Sequence, residues 1–129
     1  MGIRIEVSAG ELIDRICILE IKARRLALPV RSCVERQLLE AEAVRDRSLA
    51  RSAALSALTE RLRAANLTLW EAEEALRECE HRQSFGSGFV ELARAVYRTN
   101  DERAALKQRI DELCNSEVRE HKSFALPET

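Results

Sequence analysis

The sequence feature that most constrains the fold is a pair of heptad repeats on either side of a short glycine-containing segment. Over residues 55–79 and again over residues 89–113, seam positions recur at alternating spacings of three and four, as in helices that bury one stripe. The intervening sequence SFGSGF is so short that the chain must reverse direction there. We therefore predict two long antiparallel helices, over residues 52–84 and 88–115, forming a coiled-coil-like hairpin.

The first helix of this hairpin is predicted to be continuous. Thr68 and Glu71 have the spacing of a capping box, which would permit a break near Asn66. The heptad phase is unchanged across that point, and a break would preserve the phase only by chance.

Two shorter helices are predicted ahead of the hairpin. A capping-box sequence, S-x-x-E, begins at Ser8 and leads into an apolar series, which predicts a helix over residues 9–28. Pro29 ends that helix, and a second S-x-x-E sequence at Ser32 predicts another helix over residues 32–46.

Composition supports the same fold class. The chain of 129 residues is 46% hydrophobic and 33% charged, with only four Gly and two Pro, as expected of a protein built from helices. Its length fits one domain. The expected fold is therefore a single all-α domain over residues 1–129, an antiparallel helical bundle.

Residues 3–7, Ile-Arg-Ile-Glu-Val, alternate apolar and charged side chains with the two-residue period of a short strand. A strand needs a partner. The candidates are the residues around Phe124 and Leu126, or the same segment in a second copy of the chain.

The first helix is predicted to contact more than one neighbour, because its apolar arc is wide. One apolar face holds Leu12, Ile16, Leu19, Ala23 and Leu26, and a second holds Ile13, Cys17 and Ile21. Glu20 lies between the two faces. The opposite side, expected in water, carries Glu11, Asp14, Arg15, Lys22 and Arg25.

Several classes of function are disfavoured. The 21 basic and 22 acidic residues provide no overall field for nucleic acid or an anionic membrane, and no nucleic-acid motif is present. The first residues lack the apolar core of a secretory signal, and no stretch is apolar enough to span a bilayer, so we expect a cytoplasmic protein. The four cysteines contain no C-x-x-C pair, so we expect reduced thiols and neither a metal nor a cofactor.

No motif assigns a reaction, and whether the protein is an enzyme is left open. The sequence contains neither a recognisable arrangement of nucleophile and base nor a glycine-rich phosphate loop.

Arg103 occupies a seam position of the second heptad repeat, where an apolar side chain is expected. If seam residues face one another symmetrically about the turn, Arg103 faces Ala72, which leaves room for a long side chain. The guanidinium would then lie on Trp70 and pair with Glu73, or pair with Glu20 of the first helix. On this interpretation Arg103 fixes the register of the helices.

A second interpretation makes the same region a binding site. Asn100, Arg103 and Lys107 lie at i, i+3 and i+7 on one helix face, and such a row can hold a carboxylate or phosphate. A third interpretation is an arginine that only extends to the surface. The candidate ligand-binding residues are Arg103, Asn100, Lys107, Glu73, Trp70 and Glu20.

Three blocks, GELIDRICILEIKARR, LWEAEEALR and FVELARAVYRTNDERAALKQRI, together with the closing EHKSF, resemble a family of small bacterial proteins of unknown function. The resemblance covers residues 7–124 and implies a helical cytosolic protein, with a link to glycosyltransferase or surface-sugar contexts. It supplies no catalytic residue. A site shared with the family would draw on Glu11, Asp14, Glu20, Lys22, Trp70, Tyr97, Asn100, Asp101, Arg103 and Lys107.

Two functions of different class follow from these observations. The first is a non-catalytic interaction or oligomerisation module, a homodimer whose hairpin presents a surface to a protein partner. The alternative is a small helical-bundle enzyme or binder of an anionic metabolite, by analogy with chorismate-mutase-like bundles, whose Arg, Lys and Glu side chains hold a dicarboxylate.

Overall fold

The computed structural model of the protein describes residues 1–115, and they form an all-α bundle with a long helical hairpin, as predicted. The four helices are α1 (Ala9–Arg25), α2 (Val30–Ser48), α3 (Ala53–Arg82) and α4 (Ser87–Leu113). The α3 and α4 helices pack against each other to make the hairpin, and α1 packs against both of them and against α2. The prediction that the first helix contacts more than one neighbour is therefore confirmed.

The α3 helix runs through Asn66 without interruption, which confirms the continuous helix. At its start, the Ser52 hydroxyl accepts a hydrogen bond from the Leu55 N–H at 3.0 Å. At its end, Gln83 adopts the left-handed conformation, with φ of 56°, and its N–H donates to the Glu80 carbonyl at 3.1 Å. The chain then turns and α4 begins at Ser87.

The α1 helix begins where its cap predicts, because the Ser8 hydroxyl accepts from the Glu11 N–H at 3.1 Å. The Glu11 carboxylate is directed elsewhere, to Lys107 at 2.8 Å, so only half of the capping box forms. Apolar side chains of α1 meet those of the other helices in the main core. Its buried members are Ala9, Leu12, Ile13, Ile16, Cys17, Leu19, Val34, Ala41, Leu55, Leu58, Leu62, Ala65, Leu106 and Ile110.

The α2 helix begins at Val30 rather than at residue 32, and the cap predicted at Ser32 is wrong. The Ser32 N–H instead donates to the Pro29 carbonyl at 3.2 Å, so Ser32 lies inside the first turn. Of the α2 side chains only Val34 and Ala41 are buried, in keeping with the few apolar residues in this part of the sequence.

The segment ahead of Ser8 has no regular secondary structure, so the strand expected at residues 3–7 is not formed within the part of the chain that the structure describes. Ile3 and Ile5 are 90% and 80% exposed. The partner considered around Phe124 lies outside the described residues.

The buried residues of the hairpin are confined to one half, within residues 55–72 of α3 and 106–111 of α4. In the other half, residues 73–105, which we call the distal half, no residue is buried. Three large apolar side chains of the distal half are exposed, and we call them the distal surface: Phe85, Val90 and Tyr97. The heptad seam therefore continues well beyond the bundle core.

Candidate functional site

The most concentrated polar chemistry of the described residues surrounds the carboxylate of Asp14, in the middle of α1. The Arg103 Nε donates to Asp14 Oδ1 at 2.8 Å, and Arg103 Nη2 lies 2.5 Å from Asp14 Oδ2. The Asp14 side chain is only 2% exposed. Arg103 thus forms a two-point ion pair with α1, and the predicted pairing with Glu73 or Glu20 is wrong.

The same carboxylate also binds groups from the two hairpin helices. The Asn66 Nδ2 donates to Asp14 Oδ1 at 2.8 Å and to the Leu62 carbonyl at 3.1 Å. The Lys107 Nζ lies 3.8 Å from Asp14 Oδ2 and 2.8 Å from Glu11 Oε2. Asp14 therefore joins α1 to both α3 and α4.

A second buried carboxylate lies at the N-terminus of α1. The Gly10 N–H donates to Asp111 Oδ1 at 2.6 Å, and Asp111 is almost fully buried. The N–H groups of the first helical turn lack intrahelical partners and carry the positive end of the helix dipole, so a carboxylate is favourable there. Asp111 extends the capping that Ser8 begins.

Gly10 allows the two helices to come this close. A Cβ atom at this position would collide with the backbone carbonyl oxygen of Lys107 and would lie 2.9 Å from Asp111 Oδ1. Because α4 occupies that space, the edge of α1 that carries Asp14 is buried instead of lying in water. The prediction that Asp14 is solvated is wrong for this reason.

The polar residues around Asp14 and at the start of α1 make up a group that we call the polar cluster: Glu11, Asp14, Asn66, Asn100, Arg103, Lys107 and Asp111. Asn100 joins it weakly, since its Oδ1 accepts from Arg103 Nη1 at 3.4 Å. The cluster contains three carboxylates and two cations, so its charges nearly balance. Such an arrangement satisfies buried charge and fixes how helices meet.

Half of the candidate residues named from sequence belong to the polar cluster. Asn100, Arg103 and Lys107 lie together on α4, facing α1. Glu20 instead forms a two-point ion pair with Arg63, at 3.0 and 3.2 Å. Glu73 is exposed.

Trp70 is partly buried, and its indole Nε1 has no hydrogen-bond partner among the described residues. Tyr97, from the family-like blocks, belongs to the distal surface.

The candidate ligand-binding residues named from sequence left out Glu11, Asp14, Asn66 and Asp111, although Glu11 and Asp14 were among the residues on which a site shared with the family would draw. One signal was available, because Glu11 and Asp14 are spaced by three residues while Arg103 and Lys107 are spaced by four. Each pair lies on one helix face and the charges are opposite, so the two faces can meet.

Burial controls the chemistry of Cys17, which lies close to the ion pair between Glu20 and Arg63. Burial raises the pKa of the Cys17 thiol to about 12, although the Arg63 guanidinium opposes the shift. The Glu20 carboxylate, as hydrogen-bond acceptor, raises the pKa of Arg63 above its ordinary value. Cys17 is consequently a neutral core residue with little nucleophilic character.

A cleft of about 510 Å³ lies apart from the polar cluster, where α2 leads into α3. Its lining includes Arg45, Arg51 and Arg63. Arg45 pairs with Asp46 at 3.0 Å, and Arg63 pairs with Glu20, so two of its three guanidinium groups are neutralised.

Among residues 1–115 no group of three or more His, Cys, Asp or Glu side chains is placed to hold a metal ion. None of the helices described combines the length and apolar character needed to cross a membrane.

Fold and site together define a small all-α protein whose helical hairpin is joined to a third helix by buried ion pairs. The chain belongs to the family of unknown function DUF6165, which matches residues 3–129. The resemblance to a family of unknown function is thereby confirmed. Comparison with curated proteins and with solved structures gives no match.

Proposed function

We propose that the protein is a non-catalytic helical interaction module that self-associates as a homodimer through the distal half of its hairpin. The observation that carries the proposal is the absence of any buried residue over residues 73–105, although the heptad seam continues through that half. A second copy packed against the distal half would bury these seam residues further.

The distal surface supplies apolar area for such a contact. Val90 and Tyr97 are 49% and 54% exposed and lie seven residues apart, on one face of α4. Phe85 packs edge to face against Phe89, with ring centroids 5.3 Å apart, which fixes the apolar end of the hairpin. Burial of apolar area contributes about 25 cal/mol per Å², and an isologous contact uses each side chain twice.

The polar cluster supports this proposal over the anion-binding alternative. The cations Arg103 and Lys107 already pair with Asp14 and Glu11 of the same chain. To bind Arg103, an incoming carboxylate or phosphate would have to displace Asp14, which is buried and also bonded to Asn66. The cluster is better suited to holding α1 in the hairpin groove than to exchanging ligands.

The test is the mass of the protein in solution, measured by size-exclusion chromatography with light scattering. The wild-type chain is expected at twice the chain mass, and Tyr97→Lys should shift it to the monomer, because a cation would be buried in the contact. Gln108→Lys is the matched control, since it adds the same charge to an exposed position of α4 outside the distal half.

A wild-type monomer at micromolar concentration overturns the proposal. A Tyr97→Lys dimer as stable as that of the control would also overturn it.

A further inference from the structure

The segment ahead of α1 exposes an apolar face that the bundle does not cover. Ile3, Ile5 and Val7 alternate with Arg4 and Glu6, and all five residues are exposed. Apolar side chains on one side and charges on the other are the pattern of a strand with one face buried.

The bundle fixes the point from which this segment emerges. Ser8, the residue that follows, is itself extended, with φ of −72° and ψ of 163°, and it caps α1. The first turn of α1 is held by the hydrogen bond from Gly10 to Asp111. An extended residue therefore connects the segment directly to a firmly held helix.

The segment is self-complementary in one register. When two copies run antiparallel and cross at Ile5, Ile3 of each copy lies opposite Val7 of the other. In the same register Arg4 of each copy lies opposite Glu6 of the other, which places opposite charges in direct cross-strand contact. The apolar side chains then share one face of the ribbon and the charged ones share the other.

The other registers are disfavoured. Crossing at Arg4 or at Glu6 places like charges directly opposite each other, and a parallel, in-register pair does the same along its length. A shift by one residue sets apolar side chains opposite charged ones, so the buried face is lost.

We propose that residues 3–7 pair with the same residues of a second copy as an antiparallel two-stranded ribbon centred on Ile5. The inference rests on the proposed function, because a ribbon this short is unstable alone and needs the helical contact to hold the copies together. Charge complementarity between Arg4 and Glu6 selects a second copy as the partner, and it gives the ribbon the two-fold symmetry of a homodimer.

The test is a charge exchange on the full chain, read as the dimer dissociation constant by sedimentation equilibrium at low ionic strength. Arg4→Glu places Glu opposite Glu, and Glu6→Arg places Arg opposite Arg. Each single variant should dimerise about tenfold more weakly than wild type. The double variant restores opposite charges at both pairs and should recover the wild-type constant.

Mixing the two single variants sharpens the test. A copy with Glu at positions 4 and 6 is complementary to a copy with Arg at both, so the mixture should form a heterodimer more tightly than either variant forms a homodimer. Partners other than a second copy would not produce this pattern.

The outcomes separate the two proposals. A wild-type dimer that Tyr97→Lys dissociates, but that neither charge variant weakens, overturns the ribbon and leaves the helical contact standing. A monomeric wild-type chain overturns both. Single variants that weaken association without rescue in the double variant also overturn the ribbon.

Discussion

At the scale of single residues, Asp14 holds one carboxylate against groups from both hairpin helices. Its removal would take the buried carboxylate away from Arg103 and Lys107, and breaking a buried pair by removing one member costs about 3–5 kcal/mol. The ion pairs thus hold α1 in its place mainly because any other position of α1 would leave buried charge uncompensated.

A double-mutant cycle tests this coupling. Asp14→Ala and Arg103→Met should each lower the free energy of unfolding, and the double variant should lose less than their sum, by about 1–3 kcal/mol. Urea denaturation measures all four proteins. The exposed pair Arg82 and Glu78, 2.6 Å apart on α3, is the control and should show coupling below about 0.5 kcal/mol. Additive effects at Asp14 and Arg103 would contradict a coupled pair.

The raised pKa of the Cys17 thiol predicts that the stability of the protein falls at alkaline pH. The pKa of this thiol is raised from 9.0 to about 12 in the folded state, so between these values the unfolded state has released a proton that the folded state retains. Stability is therefore fully present below pH 9 and falls above it, by about 1.4 kcal/mol per pH unit for this group.

Urea denaturation between pH 8 and 11 measures the effect, with Cys17→Ala as the comparison. The variant should be less stable at neutral pH, because it leaves a cavity, but its stability should fall less steeply as the pH rises. Parallel curves for the two proteins would exclude Cys17 as the source.

The sequence predicted Arg103 as the exceptional seam residue but not its partner. Periodicity places a side chain on a helix face, whereas the depth to which that face is buried depends on the neighbouring helix. Asp14 borders the apolar face of Ile13, Cys17 and Ile21, and the close approach of α4 covers it. That approach depends on Gly10, and the sequence alone does not show that another helix packs against this glycine.

At the scale of helices, the contact between α1 and α4 depends on the absence of a side chain at Gly10. Gly10→Ala should destabilise the protein by about 1–3 kcal/mol, since the new methyl group would meet backbone that cannot move freely. Gly88 is the matched control, because it is also the second residue of its helix and has nothing within 4 Å of a built Cβ. Gly88→Ala should change stability by less than about 1 kcal/mol, in the stabilising direction.

Thermal melts of the two alanine variants measure the difference. Equal shifts would mean that α1 and α4 do not approach each other as closely as the structure shows.

Helix boundaries were predictable where a side chain caps the helix N-terminus or where a hydrophobic repeat continues over many residues. The Ser8 cap and the continuous α3 helix follow from such local signals. The Ser32 cap failed because the same S-x-x-E sequence can lie inside a first turn that the backbone begins earlier. The α2 sequence has few apolar residues, so no hydrophobic period distinguishes a start at residue 30 from a start at residue 32.

At the scale of the whole molecule, the hairpin is longer than the bundle that supports it. Buried residues reach only as far as Ala72 in α3 and begin again only at Leu106 in α4. Between these two positions the seam residues are at most partly buried, including Arg103, which pairs with Asp14 of α1. Such a structure gains stability from any contact that covers the distal half.

The melting temperature should therefore depend on protein concentration. Dimerisation stabilises the folded state by mass action, so the wild-type melting temperature should rise over a hundredfold increase in concentration, and that of Gln108→Lys should rise in parallel. For Tyr97→Lys it should stay constant. Differential scanning fluorimetry over this series measures the effect, and a concentration-independent wild-type melt would contradict dimerisation.

The hydrogen bond from Gly10 to Asp111 spans 101 positions of the chain, and the ion pair between Asp14 and Arg103 spans 89. During synthesis on the ribosome, α1 leaves the exit tunnel first, yet its carboxylate meets its cations only after most of α4 has emerged. Until then α1 can dock only on α2 and α3. The fold described for residues 1–115 is thus completed only when α4 has been translated. A nascent chain stalled before that point would carry an α1 whose α4-facing side is uncovered, a surface that holdase chaperones could bind.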